Sequence, residues 1–424
     1  MLDACRDQPH GGEWGRNWPL VLGGMLGYSC LALQAFLIGP FILPIEREFG
    51  WSRAQIMAGL SIMHVAGIAF NAAAGILIDR IGARPVALFG QVLACSGFAL
   101  LGLATASLTG WALHWLLISA GCALMHSTGW TRVVAAHFDR SRGLAIATVL
   151  TGSSLTAALA PVIAGAMIAS FDWRTAITAV PLIWLALTFP FSFVLFRSPH
   201  AHRQGLGRAA VQAGATPRGA ADDATLAEAL RTPVFWCVAF ALLSFAAYSL
   251  AIAPSLVPML VEKGIAATEA AKLASILGIA GFVARLSMGH LLDRFATNIV
   301  AGASFCMPVA GLVLLFYAGH SLPLLILSIV FVGATLGAEY DVIIYLLTRH
   351  FGLRHFGTIF GVILSLGAVG STIAPVATGW SHDATGGYDQ VMMTLAVMMS
   401  GCAIGMFAFG GRGRVLEDNR GSHA

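Results

Sequence analysis

The chain has 424 residues, of which 58% are hydrophobic and 10% are charged, and its formal net charge is +4. A soluble domain carries about 25% charged residues, so this composition excludes an ordinary soluble protein and indicates a lipid bilayer as the surroundings. Nothing in the charge distribution suggests nucleic acid as a partner, since the basic residues follow the loops of a membrane protein.

Long apolar stretches recur along the whole chain, each close to the roughly 20 residues with which a helix crosses a bilayer. They predict twelve membrane spans, near residues 18–44, 54–78, 85–106, 109–132, 143–170, 174–197, 233–260, 268–291, 298–319, 322–347, 357–380 and 390–410. The predicted fold class is therefore an all-α membrane protein.

The two halves of the chain repeat each other at an offset of 214 residues. Residues 75–80 read GILIDR and residues 289–294 read GHLLDR, and the same offset pairs Pro161 with Pro375. Two such copies facing a central pathway are a common plan of secondary transporters. The twelve spans are thus predicted to form two pseudo-symmetric six-helix halves.

One polar stretch divides the chain between these halves. The predicted divisions are an N-terminal tail at 1–17, a six-helix half at 18–197, a linker at 198–231, a second half at 232–410 and a C-terminal tail at 411–424. With a cytoplasmic N-terminus, 18 Lys and Arg side chains fall on the cytoplasmic side and 5 on the other. This positive-inside bias predicts a multi-pass protein with both termini cytoplasmic.

Motifs of enzymes and of ATP-driven pumps are missing from the sequence. The seven cysteines are scattered without a CxxC pair, and neither HExxH nor a Walker loop occurs. The sequence therefore predicts no metal, no cofactor and no catalytic residues, and we set aside a membrane enzyme or receptor.

The loop after the second span carries a recognisable motif. Residues 75–84 read GILIDRIGAR, which resembles the G-x-L-x-D-R-x-G-x-R signature of the major facilitator superfamily. The resemblance covers essentially the full chain and implies the major facilitator fold with alternating access. We assign the charged residues of this loop and of its repeat to gating, with a topology-setting charged turn as the alternative. They are Asp79, Arg80, Arg84, Asp293 and Arg294.

A narrower resemblance concerns spans 5 and 8. Residues 138–145 (FDRSRGLA) and 281–289 (GFVARLSMG) are similar to those of monocarboxylate transporters and their bacterial, oxalate/formate antiporter-like relatives. In that family an Arg of the eighth helix binds the substrate carboxylate, and Arg285 occupies its place. Gly281 stands where the animal members carry an acidic residue, so their proton coupling does not transfer to this chain.

Buried charge also singles out Arg285 without any resemblance. An Arg inside a span costs about 2.5–3.5 kcal/mol on insertion scales, and its planar fork suits a carboxylate. The alternative is an ion pair with Glu339 or Asp341, the acidic residues deep in a span. Those two side chains point about 200° apart on a helix, so we expect one of them to face the pathway. Either is a candidate proton carrier, with a salt bridge to Arg132, Arg285 or Arg349 as the alternative.

The repeat predicts further residues of the central cavity. Arg285 corresponds to Asn71, and Tyr340 corresponds to His126, so buried charge is expected in the second half alone. Spans 1, 4, 7 and 10 line the cavity of major facilitators, which adds polar residues on those spans. The candidates for substrate contact are Tyr28, Gln34, Asn71, His126, Tyr248, Arg285 and Tyr340, with His64 and His114 weaker. The alternative for each is a helix-to-helix hydrogen bond.

These observations predict a secondary active transporter of a small organic monocarboxylate, acting as a proton symporter. The alternative is an exchanger or exporter of a dicarboxylate, an aromatic acid or a drug on the same fold. A dicarboxylate would need a second buried cation, which the spans do not offer. We expect a monomer in a bacterial inner membrane, with the lipid bilayer, the organic anion and protons as its partners.

Overall fold

The computed structural model describes residues 11–138, 141–196, 225–319, 321–352 and 355–409. These ranges are nearly all helical, and twelve helices are long and apolar enough to cross a membrane. The first six spans are Gly12–Phe49, Arg53–Ile81, Ala83–Leu103, Leu108–Thr131, Arg142–Ser170 and Trp173–Leu195. The second six are Pro233–Glu262, Ala267–Leu292, Thr297–Tyr317, Leu322–Phe351, Phe356–Thr385 and Asp389–Phe409. The prediction of an all-α protein with twelve spans is confirmed.

Several helices run past the predicted apolar stretches because polar caps set their ends. Span 2 begins after Ser52, whose hydroxyl accepts from the Gln55 amide N–H while the Gln55 side chain accepts from the Ser52 amide. Asp172 caps span 6 in the same way, through the amide of Thr175 at 2.7 Å. Span 1 ends at Phe49 and is followed by Gly50, whose φ of 66° favours glycine. Capped ends of this kind satisfy amides that the first helical turn leaves without partners.

Three of the described spans are interrupted, and the helix of span 5 breaks at Thr151, between Arg142–Leu150 and Gly152–Ser170. Span 1 contains short 3₁₀ segments at Cys30–Ala32 and Gly39–Phe41. In span 4, the helix Leu108–Leu124 ends and the helix Ser127–Ala135 begins after two residues. The indole of Trp130 donates to the carbonyl of Met125 at 3.0 Å, which satisfies one backbone group at this break. Such breaks are tolerated inside a membrane where the freed backbone groups find partners.

Each half has its own apolar core. In the first half, Trp111 and Trp115 are completely buried, with ring centroids 6.0 Å apart in an edge-to-face arrangement. In the second half, Phe235 and Phe305 are completely buried within one large cluster. The halves therefore pack as separate units that meet along a shared interface, where span 2 lies against span 11 and span 5 against span 8.

The interface between the halves has two ends, because successive spans cross in opposite directions. We call the end that carries Arg53, Glu262 and Asp383 the Arg53 face. The opposite end, which carries the last turn of span 2, is the Asp79 face. The described end of the predicted linker, residues 225–231, lies on the Asp79 side. Residues 198–224 lie outside the described ranges. A short helix is present at Leu226–Leu230, with Thr225 and Glu228 forming a reciprocal cap.

Candidate functional site

A cavity of about 640 Å³ lies between the two halves. Spans 1, 2 and 4 form its first wall, and spans 7, 10 and 11 form its second. Its lining follows span 2 from Met63 to Ile78, so the cavity extends from the middle of the bundle toward the Asp79 face. A cleft of this size between the halves is a suitable place for a small solute.

The cavity wall is mainly apolar, with scattered polar side chains and no charged ones among the described residues. Among the described residues that line it, none is Asp, Glu, Lys or Arg. Hydrogen-bonding side chains come from both halves, and apolar ones separate them. The polar lining residues are Gln34, His64, Asn71, Ser119, His126, Ser249, Tyr340, Ser365 and Ser371. The wall therefore suits a solute with an uncharged body.

The structure brings four of the predicted contact residues together in this wall. They are Gln34, Asn71, His126 and Tyr340. His126 is one of the two non-helical residues at the break in span 4, and its side chain is exposed. Tyr340 packs between Phe245 and Phe360, with both pairs of ring centroids 6.5 Å apart. These four positions remain predictions for substrate contact, now placed in one cavity.

Two predicted tyrosines do not line this cavity. Tyr248 is completely buried in the core of the second half, because the cavity side of span 7 is formed by residues such as Phe245 and Ser249. Tyr28 is half-buried and packs against the cluster that contains Trp130. The position of Tyr248 favours the alternative of helix packing for that residue. Tyr28 lies close enough to Arg285 and Asp341 to interact with both charges, so it stays a prediction for substrate contact.

Arg285 lies outside the cavity lining, in the interface between the halves. Its side chain is 7% exposed, and its Nε approaches the Asp341 Oδ2 at 3.4 Å. The Nε donates to the Gly337 carbonyl at 3.1 Å, and one Nη donates to the Leu150 carbonyl at 2.7 Å. Arg285 therefore holds spans 8 and 10 of its own half and span 5 of the other half at the same time.

The two acidic residues of span 10 lie in different surroundings, as their angular separation predicts. Asp341 pairs with Arg285 and has a side chain that is 27% exposed. Glu339 is completely buried, and neither of its carboxyl oxygens has a hydrogen-bond partner in the described structure. Asp341 is adjacent in sequence to Tyr340, so the Arg285–Asp341 pair lies beside the cavity wall.

The predicted gating residues lie at the Asp79 face. Asp79 and Arg80 occupy the last turn of span 2, and Arg294 is exposed at the end of the span 8 helix. Arg84 donates to the Phe193 carbonyl at 2.7 Å, and its guanidinium lies 5.6 Å from the Phe193 ring centroid. The side chain of Asp293 lies outside the described part of the structure. The assignment of these residues to gating stays a prediction.

An ionic cluster at the Arg53 face was missed by the sequence analysis. The Arg53 side chain is 6% exposed, and it contacts Glu46 at 3.3 Å and Glu262 at 2.5 Å. Its Nη1 also donates to the Tyr388 hydroxyl at 2.6 Å. The expectation that buried charge belongs to the second half alone is therefore wrong, because Arg53 lies in the first half.

The same cluster fixes the start of span 2 against the end of span 11. Asp383 accepts from the amides of Arg53 at 3.0 Å and Ala54 at 2.9 Å. A carboxylate at a helix N-terminus is favoured by the free amides and by the helix dipole. Tyr388 lies in the turn between spans 11 and 12, and burial raises the pKa of its phenol. The phenol is therefore a protonated partner for Arg53 at neutral pH.

The space around the interface glycines shows how closely the two halves approach at each end. At the Arg53 face, a Cβ on Gly379 would lie 2.5 Å from the Ala54 amide nitrogen, which is closer than side chains allow. At the Asp79 face, a Cβ on Gly75 or Gly361 would meet no atom within 4 Å. The cavity is thus closed toward the Arg53 face and widens toward the Asp79 face.

Comparison with known proteins agrees with this architecture. The sequence profile of the Major Facilitator Superfamily matches residues 24–375 and 248–423. The chain belongs to the major facilitator superfamily. Among curated proteins, this member is 24% identical to human monocarboxylate transporter 12, over 93% of this chain and 80% of that protein. It is 26% identical to monocarboxylate transporter 3 of Rattus norvegicus, over 90% of this chain and 77% of that protein.

Solved structures of the superfamily share the fold at low sequence identity. The nucleoside transporter NupG aligns with a TM-score of 0.69 and 14% identity over 92% of this chain and 99% of its own. A bacterial homologue of the human lysosomal transporter Spinster, in an inward-facing and unoccupied conformation, aligns with a TM-score of 0.60 and 18% identity. That alignment covers 92% of this chain and 93% of the homologue. This major facilitator is therefore a multi-pass membrane transporter of small solutes and not an enzyme.

Proposed function

We propose that this transporter moves a small organic monocarboxylate by alternating access, together with a proton. The observation that carries the proposal is Arg285, which is buried between the halves beside the cavity and pairs with Asp341. A buried guanidinium binds a carboxylate through two parallel hydrogen bonds, and it is costly to keep in a membrane without such a role. The similarity to monocarboxylate transporters supports the same substrate class.

Charge balance at Arg285 gives a reason for proton coupling. With Asp341 as its partner, Arg285 belongs to a neutral pair in a region of low dielectric constant. An arriving carboxylate adds one negative charge, and an uncompensated charge in such a region is unfavourable. One proton on Asp341 restores neutrality and frees Arg285 for the substrate. The proposed stoichiometry is therefore one proton for each monocarboxylate.

Glu339 is the second candidate for the proton. It is completely buried without a hydrogen-bond partner for either oxygen, and a charged carboxylate there would lack both water and a counter-ion. A neutral Glu339 fits these surroundings, so a change in its surroundings during the cycle would change its proton affinity. Asp341 and Glu339 are separable by mutation because their surroundings differ.

The conformation supports a cycle with two accessible states. In the state described here, the bonds of Arg53 close one face while the cavity widens toward the other. We place the Asp79 face in the cytoplasm of a bacterium, with both termini on that side and the protein acting as a monomer in the inner membrane. The positive-inside bias of the loops supports this orientation.

Counterflow in proteoliposomes tests the substrate class. Purified protein would be reconstituted and assayed with lactate-like, aromatic and dicarboxylic acids. We expect monocarboxylates to exchange, and we expect Arg285→Ala to lose about tenfold or more in apparent affinity, since hydrogen bonds to charged groups contribute about 1.5–3 kcal/mol. Arg285→Lys keeps the charge without the planar fork, so its apparent affinity should lie between those of the wild-type protein and Arg285→Ala. Unchanged transport by a stably inserted Arg285→Ala protein would rule out the anion site.

Acid-driven uptake tests the proton carrier. We expect Asp341→Asn to lose the dependence on a pH gradient while exchange of substrate across the membrane continues. Glu339→Gln, made in the same way, shows whether the second carboxyl contributes. If both variants keep the full dependence of the wild-type protein, neither carboxyl carries the proton.

A second candidate function is favoured by the uncharged cavity wall. An exporter or exchanger of an uncharged drug would use the same wall without a proton on Asp341. Adding an uncharged drug to the counterflow panel separates the two functions, because such a solute would exchange independently of Arg285. A dicarboxylate remains the least supported solute, since the described cavity lining offers it no second cation.

A further inference from the structure

One histidine at the Arg53 face has a carboxylate beside each of its ring nitrogens. The His382 Nε2 lies 2.8 Å from the Glu262 Oε1, and the His382 Nδ1 lies 3.9 Å from the Asp383 Oδ1. The imidazole also packs against the Tyr388 ring, with centroids 4.9 Å apart. His382 stands in the last turn of span 11, and its side chain is 15% exposed. Protons from the solvent can therefore reach a histidine inside the ionic cluster of the closed face.

Three other histidines show a different arrangement. The Nδ1 atoms of His114, His137 and His350 each bond to the carbonyl four residues earlier, at 2.7, 2.8 and 2.9 Å. His382 instead bonds to a carboxylate on another span, and its Nδ1 is buried without a hydrogen-bond partner in the described structure. Histidine is the side chain that ordinarily changes charge between about pH 5 and 8, so a histidine among carboxylates can carry a pH signal.

The contacts of the ring define where a second proton would bind. A carboxylate only accepts hydrogen bonds, so the His382 Nε2 donates to Glu262. In the neutral ring, the Nδ1 is then an acceptor that lies near an acceptor oxygen of Asp383. A proton on this Nδ1 turns two acceptors into a donor and an acceptor, and it makes the ring a cation.

Span 2 of the first half engages both of these carboxylates while the face is closed. The Arg53 Nη1 lies 2.5 Å from the same Glu262 oxygen that His382 contacts. Asp383 accepts from the amides of Arg53 at 3.0 Å and Ala54 at 2.9 Å. In the closed state, the guanidinium therefore repels a positive imidazole across a shared oxygen, and the backbone of span 2 competes with the imidazole for Asp383.

Opening the face removes these competitors, because the charged and titratable groups around His382 divide between the halves. Glu262, Asp383 and Tyr388 belong to the second half, as His382 does, whereas Arg53 and its partner Glu46 belong to the first. Glu46 contacts the Nε of Arg53, so it lies one partner further from the imidazole. When span 2 moves away, both carboxylates beside His382 become free to pair with a positive ring. A proton is then bound more tightly in the open state than in the closed state.

We propose that His382 is a proton sensor of the Arg53 face, and that a proton on its ring shifts the protein from the closed toward the open state. A ligand that binds one state more tightly increases the population of that state. Above the titration range of an imidazole the closed state keeps its full population, and it loses population as the pH falls through that range. The inference concerns the conformational equilibrium and does not depend on the solute.

Distances between spin labels on spans 2 and 11, measured at pH 8 and pH 5, test the sensor. We expect the ratio of closed to open protein to be about fivefold lower at pH 5. This is the lower end of the range for coupled sites, because Glu262 and Asp383 are partly exposed. Equal distances at the two pH values in the wild-type protein overturn the proposal.

Two substitutions of His382 should act in opposite directions. His382→Gln keeps a donor for Glu262 and does not titrate, so we expect the closed distances at both pH values. His382→Lys carries a fixed charge, so we expect it to show at pH 8 the distances that the wild-type protein shows at pH 5. His114→Gln, near the start of span 4 at the same face, is the control and should keep the wild-type pH dependence. An unchanged pH dependence in His382→Gln overturns the proposal.

Asp341→Asn separates the sensor from the proposed proton carrier. We expect this variant to keep the pH dependence of the label distances while its uptake loses the dependence on a pH gradient. A pH dependence of the distances that Asp341→Asn abolishes and His382→Gln retains would overturn the sensor and leave the proposed function intact. Conversely, a stably inserted wild-type protein that exchanges no monocarboxylate would refute the proposed function, and the label distances would still decide the role of His382.

Discussion

The two ends of the interface between the halves differ in kind. At the Arg53 face, ion pairs and hydrogen bonds join span 2 to spans 7 and 11 and to Tyr388, and the backbones of spans 2 and 11 touch at Gly379. At the Asp79 face, the corresponding glycines of spans 2 and 11 face open space. The difference teaches that a charged cluster shared by both halves closes one entrance, while the cavity remains reachable from the other.

The internal repeat does not extend to the buried arginines at the interface between the halves. The repeat counterpart of Arg53 is Ala267, so the second half has no copy of the closing cation. Conversely, Arg285 has the uncharged counterpart Asn71. Among the described side chains, each half thus contributes one buried Arg, with Arg53 closing an entrance and Arg285 beside the cavity.

The largest effect is expected from Gly379→Val, which would separate spans 2 and 11 at the Arg53 face. The new Cβ would lie 2.5 Å from the Ala54 nitrogen and 2.6 Å from the Arg53 carbonyl carbon, and backbone atoms cannot move aside cheaply. Overpacking costs about 1–3 kcal/mol, so the closed population should fall by roughly five- to a hundred-and-fiftyfold. Distances between spin labels on spans 2 and 11 would measure it.

Gly387→Ala is the matched control for that substitution. Gly387 lies in the turn between spans 11 and 12 at the same face, and a Cβ there would meet no atom within 4 Å. We expect unchanged label distances in this variant. Closed label distances in Gly379→Val would show that the contact between the two spans does not limit closure.

A smaller effect is expected from Arg53→Gln, which removes the cation of the closing cluster. The two glutamates that contact Arg53 are each about one third exposed, so water replaces part of what they lose. We expect the closed population to fall by about tenfold, the factor of roughly 1.4 kcal/mol. Lys272→Gln removes an exposed cation at the same face and serves as the control. Equal label distances in the two variants would contradict the assigned role of Arg53.

Tyr388→Phe should act in the same direction by about fivefold, because it removes one hydrogen bond of about 1 kcal/mol. Burial raises the pKa of the Tyr388 phenol, so the folded protein keeps this proton to a higher pH than the unfolded chain. The contribution of the phenol is therefore complete below about pH 10 and is lost only above it. Label distances measured from about pH 6 to 9 should show a constant difference between Tyr388→Phe and the wild-type protein.

The smallest effect is expected from Asp172→Ala, which removes a cap at the Arg53 face without touching the cluster. The Thr175 amide and hydroxyl hold the pKa of Asp172 below its ordinary value. Its contribution to stability is present above the unfolded pKa of about 3.9 and is lost as the pH falls through the folded pKa. We expect a slightly lower Tm at neutral pH, the same Tm as wild type in acid, and unchanged closure. A shift in closure would mean that helix caps contribute to the gate.

The parts of the fold that depend on local composition could be predicted from the sequence. Twelve apolar stretches of sufficient length define twelve spans, and the capping pattern around Thr225 and Glu228 defines the short linker helix. Helix ends were less predictable, because caps such as Ser52 lie outside the apolar stretches. The breaks in spans 1, 4 and 5 were not predicted at all.

Site residues were predictable on a span where one residue already indicated which side of the helix faces the cavity. Asn71 and His64 are seven positions apart, so both lie on the same side of span 2, and this spacing could have raised His64 among the candidates. On span 7 no residue indicated which side of the helix faces the cavity. Ser249 lines the cavity, whereas Tyr248 is rotated by about 100° into the core of the second half.

The Arg53 cluster could not be found from local pattern. Arg53 contacts Tyr388, which is 335 positions away in the chain, and Glu262, which is 209 positions away. No periodicity links such residues, and each alone resembles an ordinary charged loop residue. Only the packing of spans 2, 7 and 11 at one face brings them together.

The uncharged wall of the cavity has an electrical consequence. Moving one elementary charge through a membrane potential of 100 mV involves about 2.3 kcal/mol. The described cavity lining contributes no Asp, Glu, Lys or Arg to such a movement, and the ion pair of Arg285 and Asp341 is neutral as a unit. Under the proposed function, the voltage acts on the cargo, and a monocarboxylate that travels with one proton crosses the field without electrical work.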